Sequence, residues 1–260
     1  MTVAFAVTLL VLGFLGAFVA GLLGVGGAIV MIPLLLYVPP LLDVGRLDVK
    51  AVAGVTMTQV LVAAASGMLA HRRYGAVNAR LAWVGGASMA GGSLVGALGS
   101  KFVSDDVLLL VFAIMVTAAA FLIFMPPASG VAADGTRVEF SSLRAAIVAA
   151  GVGLAAGLVG AGGAFLLVPL LLVVVGIPIR ITIGSSLAIT ALAASAGFVG
   201  KLVTGQIPFG PALAVVLGAV PGAQLGAAVS RRMPPLVLRA ALFVFVVLTA
   251  IRVWADVFSR

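Results

Sequence analysis

The 260-residue chain contains no cysteine, a single histidine (His71), two tryptophans, two tyrosines and only seven acidic residues. Without cysteine there can be no disulfide, no thiolate metal centre and no cysteine nucleophile. One histidine among so few carboxylates leaves neither a zinc or haem ligand set nor a nucleophile–base pair, so no cofactor, no metal and no enzymatic chemistry are expected. Nothing points to a nucleic-acid partner. Charge is scarce altogether, at 8% of residues, while 63% are hydrophobic against about 45–50% in a soluble domain. A soluble fold is thereby excluded, and the composition is that of a polytopic membrane protein.

Among the few charges, 15 Lys and Arg face seven Asp and Glu, for a net charge of +8. In a membrane chain such an excess marks cytoplasmic loops first and attraction of an anionic substrate second. Residues 2–20 lack a basic leader and form too long an apolar run for a cleaved signal peptide. They read as a retained membrane helix, as does the corresponding stretch from Leu143, which lies mid-chain.

What the chain has in abundance is glycine within apolar runs. Residues 20–36 and 156–172 are two copies of one motif, 136 residues apart (156 − 20) and identical at 11 of 17 positions. Gly21, Gly24, Gly26, Gly27 and Pro33 in the first copy match Gly157, Gly160, Gly162, Gly163 and Pro169 in the second. Glycine frees the backbone to leave a helix and proline removes a hydrogen bond, so each copy predicts a broken helix. Within hydrocarbon such a break survives only where protein or a water-filled cavity satisfies the freed groups, and a matched pair of breaks points to a transporter's substrate site.

Apolar segments run over 3–37, 50–70, 81–99, 107–125, 143–175, 181–203, 210–229 and 236–257. Most suit one crossing of a core about 30 Å thick. The first and fifth are too long for one crossing and contain the glycine motif, so each predicts a full helix, a break and a short second helix. Beyond the motif the repeat continues at an offset of 130, pairing Gly54 with Gly184, Gly75 with Gly205 and Gly92 with Gly222. The chain divides into a first transmembrane repeat over 1–125, a polar linker over 126–142 and a second repeat over 143–260. If the two long segments turn back at their glycines, Arg72, Arg73, Arg80, Arg137, Arg144, Arg180, Arg231, Arg232 and Arg239 share one side, nine basic residues against six. The fold expected is therefore an all-α polytopic integral membrane protein of two homologous repeats. It has about eight transmembrane helices with two additional short broken or re-entrant half-helices, arranged as an inverted repeat.

At these residues the chain resembles the sulfite exporter TauE/SafE family, also called the TSUP permeases, whose two repeats each begin with a glycine-rich motif followed by proline. Gly54-Val55-Thr56 and Gly184-Ser185-Ser186 are similar to the family's second, hydroxyl-bearing element, with Val55 standing where a hydroxyl residue is common. The resemblance covers about residues 5 to 255 and implies transport of small anions such as sulfite, sulfoacetate or other organosulfur species.

The residues suggest where an anion would sit. New helices start after each glycine cluster, so free N–H groups and positive dipole ends at Gly24, Gly26, Gly27, Gly160, Gly162 and Gly163 form the first candidate set. The alternative is that these glycines only let helices pack closely. Polar side chains form the second set. Within it, Thr56 and Gln59 share one helix face, and Ser185, Ser186 and Thr190 follow on another helix. Thr58, Ser66, Ser195 and Gln224 are further polar residues of the same kind, whose plainer role is interhelical hydrogen bonding. The Gly-x-x-x-Gly patterns 92–96, 153–157 and 222–226 are read as packing surfaces without chemistry. Lys201 is expected to snorkel from its helix end, Arg252 and Asp256 to form an interfacial ion pair, and His71 to lie at headgroup level.

The expected function is a permease that moves a small sulfur-containing anion by alternating access across a bacterial inner membrane. The alternatives are a permease for another anion such as a carboxylate, and a scaffold subunit that transports nothing. The expected partners are the anion and the lipid bilayer, with a homodimer as an open alternative.

Overall fold

The computed structural model describes residues 1–23, 26–72, 78–125, 140–177, 179–230, 233 and 235–259. Gly24, Arg73, Gly75, Arg231, Arg232 and most of the linker, from 126 to 139, lie outside the described residues, as do the side chains of His71 and Arg72. The described secondary structure is helical: α1 Val3–Leu23, α2 Ala28–Leu41, α3 Val49–Arg72, α4 Ala79–Gly99, α5 Asp105–Phe124, α6 Ser142–Val159, α7 Ala164–Leu170, α8 Ile179–Val203, α9 Phe209–Ser230 and α10 Pro235–Ser259. The eight apolar segments become ten helices because the first and fifth both split at their glycines. Among the described residues seven helices, α1, α3, α4, α5, α6, α8 and α9, are long and apolar enough to cross a membrane.

The distribution of side chains is that of a protein in lipid. Val3, Trp83, Phe121, Ile147, Leu213 and Ile251 point outward, each at least 60% exposed, whereas Thr56, Gln59, Ser93, Ser185, Ser186, Thr190 and Lys201 are fully buried. A water-soluble protein has few reasons to bury polar groups while presenting large apolar ones. In hydrocarbon the outward residues need no cover.

Helix starts follow local chemistry. Asn78, Ser104 and Ser141 accept backbone N–H bonds from Leu81, Val107 and Arg144 and so cap α4, α5 and α6. The two short helices begin differently: Gly27 and Gly163 precede α2 and α7 with φ of 76° and 71° and offer no side-chain cap. Only glycine adopts this left-handed conformation at little cost. Pro33 lies inside α2 and cannot donate to the carbonyl one turn back; the Thr249 hydroxyl of α10 donates to that Ile29 oxygen at 3.2 Å instead. In the second copy Pro169 is followed by a π-helical stretch, Leu171–Val175, which ends at Gly176 with φ 78°. The extra residue per turn absorbs a disturbed ladder.

The long helices pack across the two halves. α1 lies on α9 and α4 lies on α6, each pair in contact along its length. A Cβ added at Gly218, Gly222 or Gly226 would collide with the backbone carbonyl of Leu10, Phe14 or Phe18, and one added at Gly13 or Gly21 with that of Val215 or Ala223. In the other pair, Gly92 and Gly96 meet the carbonyls of Ala150 and Leu154, while Gly153 and Gly157 meet those of Met89 and Ser93. These are the Gly-x-x-x-Gly patterns, acting as backbone-to-backbone contacts. In both pairs the numbers rise together in steps of four, so α1 runs parallel to α9 and α4 parallel to α6. Gly85 against Ile189 and Gly200 against Ala97 make α8 parallel to α4 as well. α3 registers against α8 in the opposite sense, since Met57 meets Gly197 while Val60 stands at the level of Thr190.

The packing contacts predict opposite outcomes for two glycines. Gly222→Ala forces a methyl into the Phe14 backbone and should cost about 1–3 kcal/mol, seen as a lower melting temperature in detergent. Gly151→Ala meets nothing within 4 Å and should hold or raise that temperature, through a stabilisation of about 0.4–1 kcal/mol at most.

Candidate functional site

The two glycine breaks converge on one place in the interior. Cβ positions built on Gly26 and Gly162 face the same two side chains, Val60 of α3 and Thr190 of α8, with Thr190 Cγ2 at 3.9 and 3.5 Å respectively. Val60 and Thr190 are themselves equivalent at the repeat offset of 130 (190 − 60). Gly26 also faces the Ala164 methyl at 3.2 Å, at the start of α7, so the first turn of one short helix abuts the break before the other. A Cβ built on Gly27 would lie 3.1 Å from Gln59 Nε2. Gly163 is enclosed by Met89, Val152 and Ala156, and Gly160 lies against the Ala53 backbone of α3. The glycines thus serve close packing and left-handed turns together; Gly160, Gly162 and Gly163 have φ of 77°, 62° and 71°.

Several buried polar groups of α3, α4 and α8 have no hydrogen-bond partner. Thr56 Oγ1, Gln59 Oε1, Gln59 Nε2, Thr190 Oγ1 and Ser93 Oγ are buried and make no hydrogen bond. Leaving a buried donor or acceptor unpaired costs roughly 1–3 kcal/mol per group, and native interiors rarely accept it without a ligand, ion or water to meet it. A primary amide with both ends unpaired is the most demanding of them. Thr56 and Gln59 occupy one face of α3 a turn apart, and Thr190 of α8 stands with Val60, the residue after Gln59, at the two glycine turns. The amide and hydroxyls can offer several N–H and O–H donors to a small oxyanion, with Gln59 Oε1 able to accept from a protonated oxygen or water.

The remaining sequence candidates fall away from this cluster. Ser185 is buried, but its hydroxyl accepts the Asn78 N–H at 3.0 Å and so ties α8 to the start of α4. Ser186, also buried, already has a partner within the fold. Thr58 and Ser195 donate to carbonyls one turn back, at Gly54 and Ala191. Gln224 is exposed on α9. Arg252 lies over the Tyr37 ring, 4.5 Å from its centroid, and the Tyr37 hydroxyl reaches Asp256 Oδ2 at 3.4 Å, so the residues expected to pair directly both engage Tyr37 of α2.

Two residues escaped the sequence reading. Ser93 sits within the 92–96 glycine pattern and looks like a small packing residue; its hydroxyl faces Gly197 beside Met57. Lys201 does not snorkel. It is fully buried, with Nζ donating to Ser100 Oγ at 2.7 Å, Leu158 O at 2.9 Å and Gln206 Oε1 at 3.0 Å. The expectation failed because a helix-end lysine reaches for lipid headgroups only when nothing nearer meets its three protons. Here the turn after α4, the end of α6 and the loop before α9 each supply an acceptor. Gln206, six residues after Gly200 in a polar loop, was the available hint.

The family model for the sulfite exporter TauE/SafE matches residues 9–253. The chain belongs to that family. Among curated proteins it is 28% identical over 243 residues to the probable membrane transporter protein YunE of Bacillus subtilis, covering 87% of this chain and 89% of that one. It is 27% identical over 237 residues to the probable membrane transporter protein YdhB of the same organism, covering 88% and 92%. A probable membrane transporter protein of Xylella fastidiosa is 31% identical over 188 residues, covering 72% and 70%. No solved structure matches. Family, relatives and apolar helices together make this an integral membrane protein of a transporter family.

The unpaired amide gives a signed prediction. Gln59→Leu removes two unsatisfied atoms at similar volume, so the ligand-free protein should melt at or above the wild-type temperature, while any stabilisation by a bound anion disappears. A fall in ligand-free stability with anion stabilisation intact would count against Gln59 as a ligand.

Proposed function

We propose that the chain is a permease for a small sulfur-containing oxyanion, bound between the two glycine breaks by Gln59, Thr56, Thr190 and backbone N–H groups of the Gly26–Gly27 and Gly162–Gly163 turns. The observation that carries this reading is the unpaired, fully buried Gln59 amide beside Gly27. The site is neutral and rich in donors, which favours an acceptor-rich anion over a cation or a sugar. Gly160, Ser185 and Ser186 shape the surroundings.

We further infer that residues 1–125 and 143–260 form an inverted pair of repeats that exchange access to the site by moving against each other. The helix directions support this: α1, α3 and α9 run one way and α4, α6 and α8 the other, so the first helices of the two halves oppose each other. The nine-to-six division of basic residues then assigns the side holding Arg80, Arg144 and Arg180 to the cytoplasm of a bacterial inner membrane. The reaction is translocation without covalent change.

Two measurements test the proposal. In a thermal-shift series, sulfite, thiosulfate or sulfoacetate should raise the melting temperature of the purified protein, whereas a neutral sugar or a cation of like size should not. Stabilisation by the sugar or cation alone would remove the anion assignment. For the topology, Phe102→Cys and Met233→Cys place single thiols on exposed turns near equivalent positions of the two halves in a chain without native cysteine. An impermeant thiol reagent on intact cells should label Phe102→Cys and reach Met233→Cys only after the membrane is opened. Equal labelling would return the chain to a parallel repeat.

A further inference from the structure

Lys201 ties four elements together at one end of the bundle, and its chemistry is unlike that of the neutral site. All three of its hydrogen bonds go to neutral acceptors. Ser100 Oγ in turn donates to Ala97 O at 2.6 Å, and Gln206 Nε2 donates to Ser100 Oγ and Thr204 Oγ1 at 3.0 and 3.1 Å. The network satisfies every polar atom it contains without a carboxylate, so a protonated Lys201 keeps a positive charge that none of these bonds neutralises. A second ammonium, Lys50 at the start of α3, donates to Lys101 O at 3.1 Å and lies close enough for its charge to act on Lys201. Burying such a charge is costly, and an apolar side chain of similar volume often serves stability as well or better. A purely structural tie between these helices therefore has no need of an ammonium.

Position gives the charge a use. Leu158, whose carbonyl Lys201 holds, lies two residues before Gly160, and Gly160 packs on Ala53 of α3, one turn from Thr56. Lys201 follows Gly197, which meets Met57, by one turn of α8. At about 1.5 Å of rise per residue, Nζ stands on the order of 12 Å from the Thr56 hydroxyl. The geometry points to Lys201 as a residue that sets the charge selectivity of the proposed anion site, acting through its field and not by contact. The inference rests on the anion reading of that site. With an effective dielectric of about 20 over that distance, one unit charge alters binding of a monovalent anion on the order of tenfold and of a divalent anion on the order of a hundredfold. Lys50, nearer the surface and half-buried, adds to the same field.

The test uses two probes that differ in charge, methanesulfonate and thiosulfate, titrated onto the purified full chain. Lys201→Met should weaken methanesulfonate about tenfold and thiosulfate about a hundredfold, and Lys201→Arg should keep both. Gln206→Leu breaks the same network while retaining the charge, and should leave the ratio of the two affinities unchanged. Equal losses for the two anions in Lys201→Met, or a matching loss in Gln206→Leu, would identify Lys201 as a structural tie and overturn the inference. If Lys201→Met does not accumulate in the membrane, Lys50→Met carries the decision: a smaller loss, still greater for thiosulfate, supports the field, and a charge-independent one refutes it. A wild-type chain that binds neither probe would remove the anion site itself, an outcome distinct from wild-type binding that Lys201→Met leaves intact.

Discussion

The structure depends on helices approaching closely enough for backbone to touch backbone. Gly218, Gly222 and Gly226 of α9 lie on the Leu10, Phe14 and Phe18 carbonyls of α1, and Gly92, Gly96, Gly153 and Gly157 do the same for α4 and α6. Lipid offers no hydrophobic reward for bringing two apolar helices together, so contact area must come from close approach. These two seams hold a frame in which the four ends created by breaking two helices lie inside protein. Without it, Gly26, Gly27, Gly162 and Gly163 would expose unsatisfied backbone groups to hydrocarbon, where each costs several kcal/mol.

Within that frame the interior inverts the usual order of polarity. The Gln59 amide and the hydroxyls of Thr56, Thr190 and Ser93 are buried without partners, while the Lys201 network is saturated at one end. The buried donors of α3, α4 and α8 lack internal partners, whereas every proton of the Lys201 ammonium is used. One bundle thus keeps separate a place whose polar groups are unmet and a place whose polar groups are all met.

Much of this was legible from residue order. The paired glycine clusters foretold the breaks after Leu23 and Val159, the length of segments 3–37 and 143–175 foretold the short helices, and the Gly-x-x-x-Gly spacing foretold packing seams. Thr56, Gln59 and Thr190 were identifiable as polar residues on helix faces near the motif. What order alone could not reveal was which polar groups the fold would satisfy. Ser185 looks like Thr190 on paper, yet the Asn78 N–H reaches one and nothing reaches the other. Lys201 was misjudged for the same reason, since its partners Ser100 and Leu158 come from 101 and 43 residues away. Ser93 was hidden because a small residue between glycines suits packing whether or not its hydroxyl is used.

The exchange of partners between halves also bears on how the protein is made. α1 finds its main companion in α9, and the glycines that receive it lie about 200 residues further along the chain. At a synthesis rate of about 5–20 residues per second, α1 stands in the bilayer for roughly 10–40 s before that companion exists. During this interval its own Gly13 and Gly21 offer a sticky, unfilled groove to any passing helix. Assembly in the membrane is therefore a problem of waiting, and a helper that shelters the first helix until the ninth arrives would act on the longest-lived vulnerable state of the nascent chain.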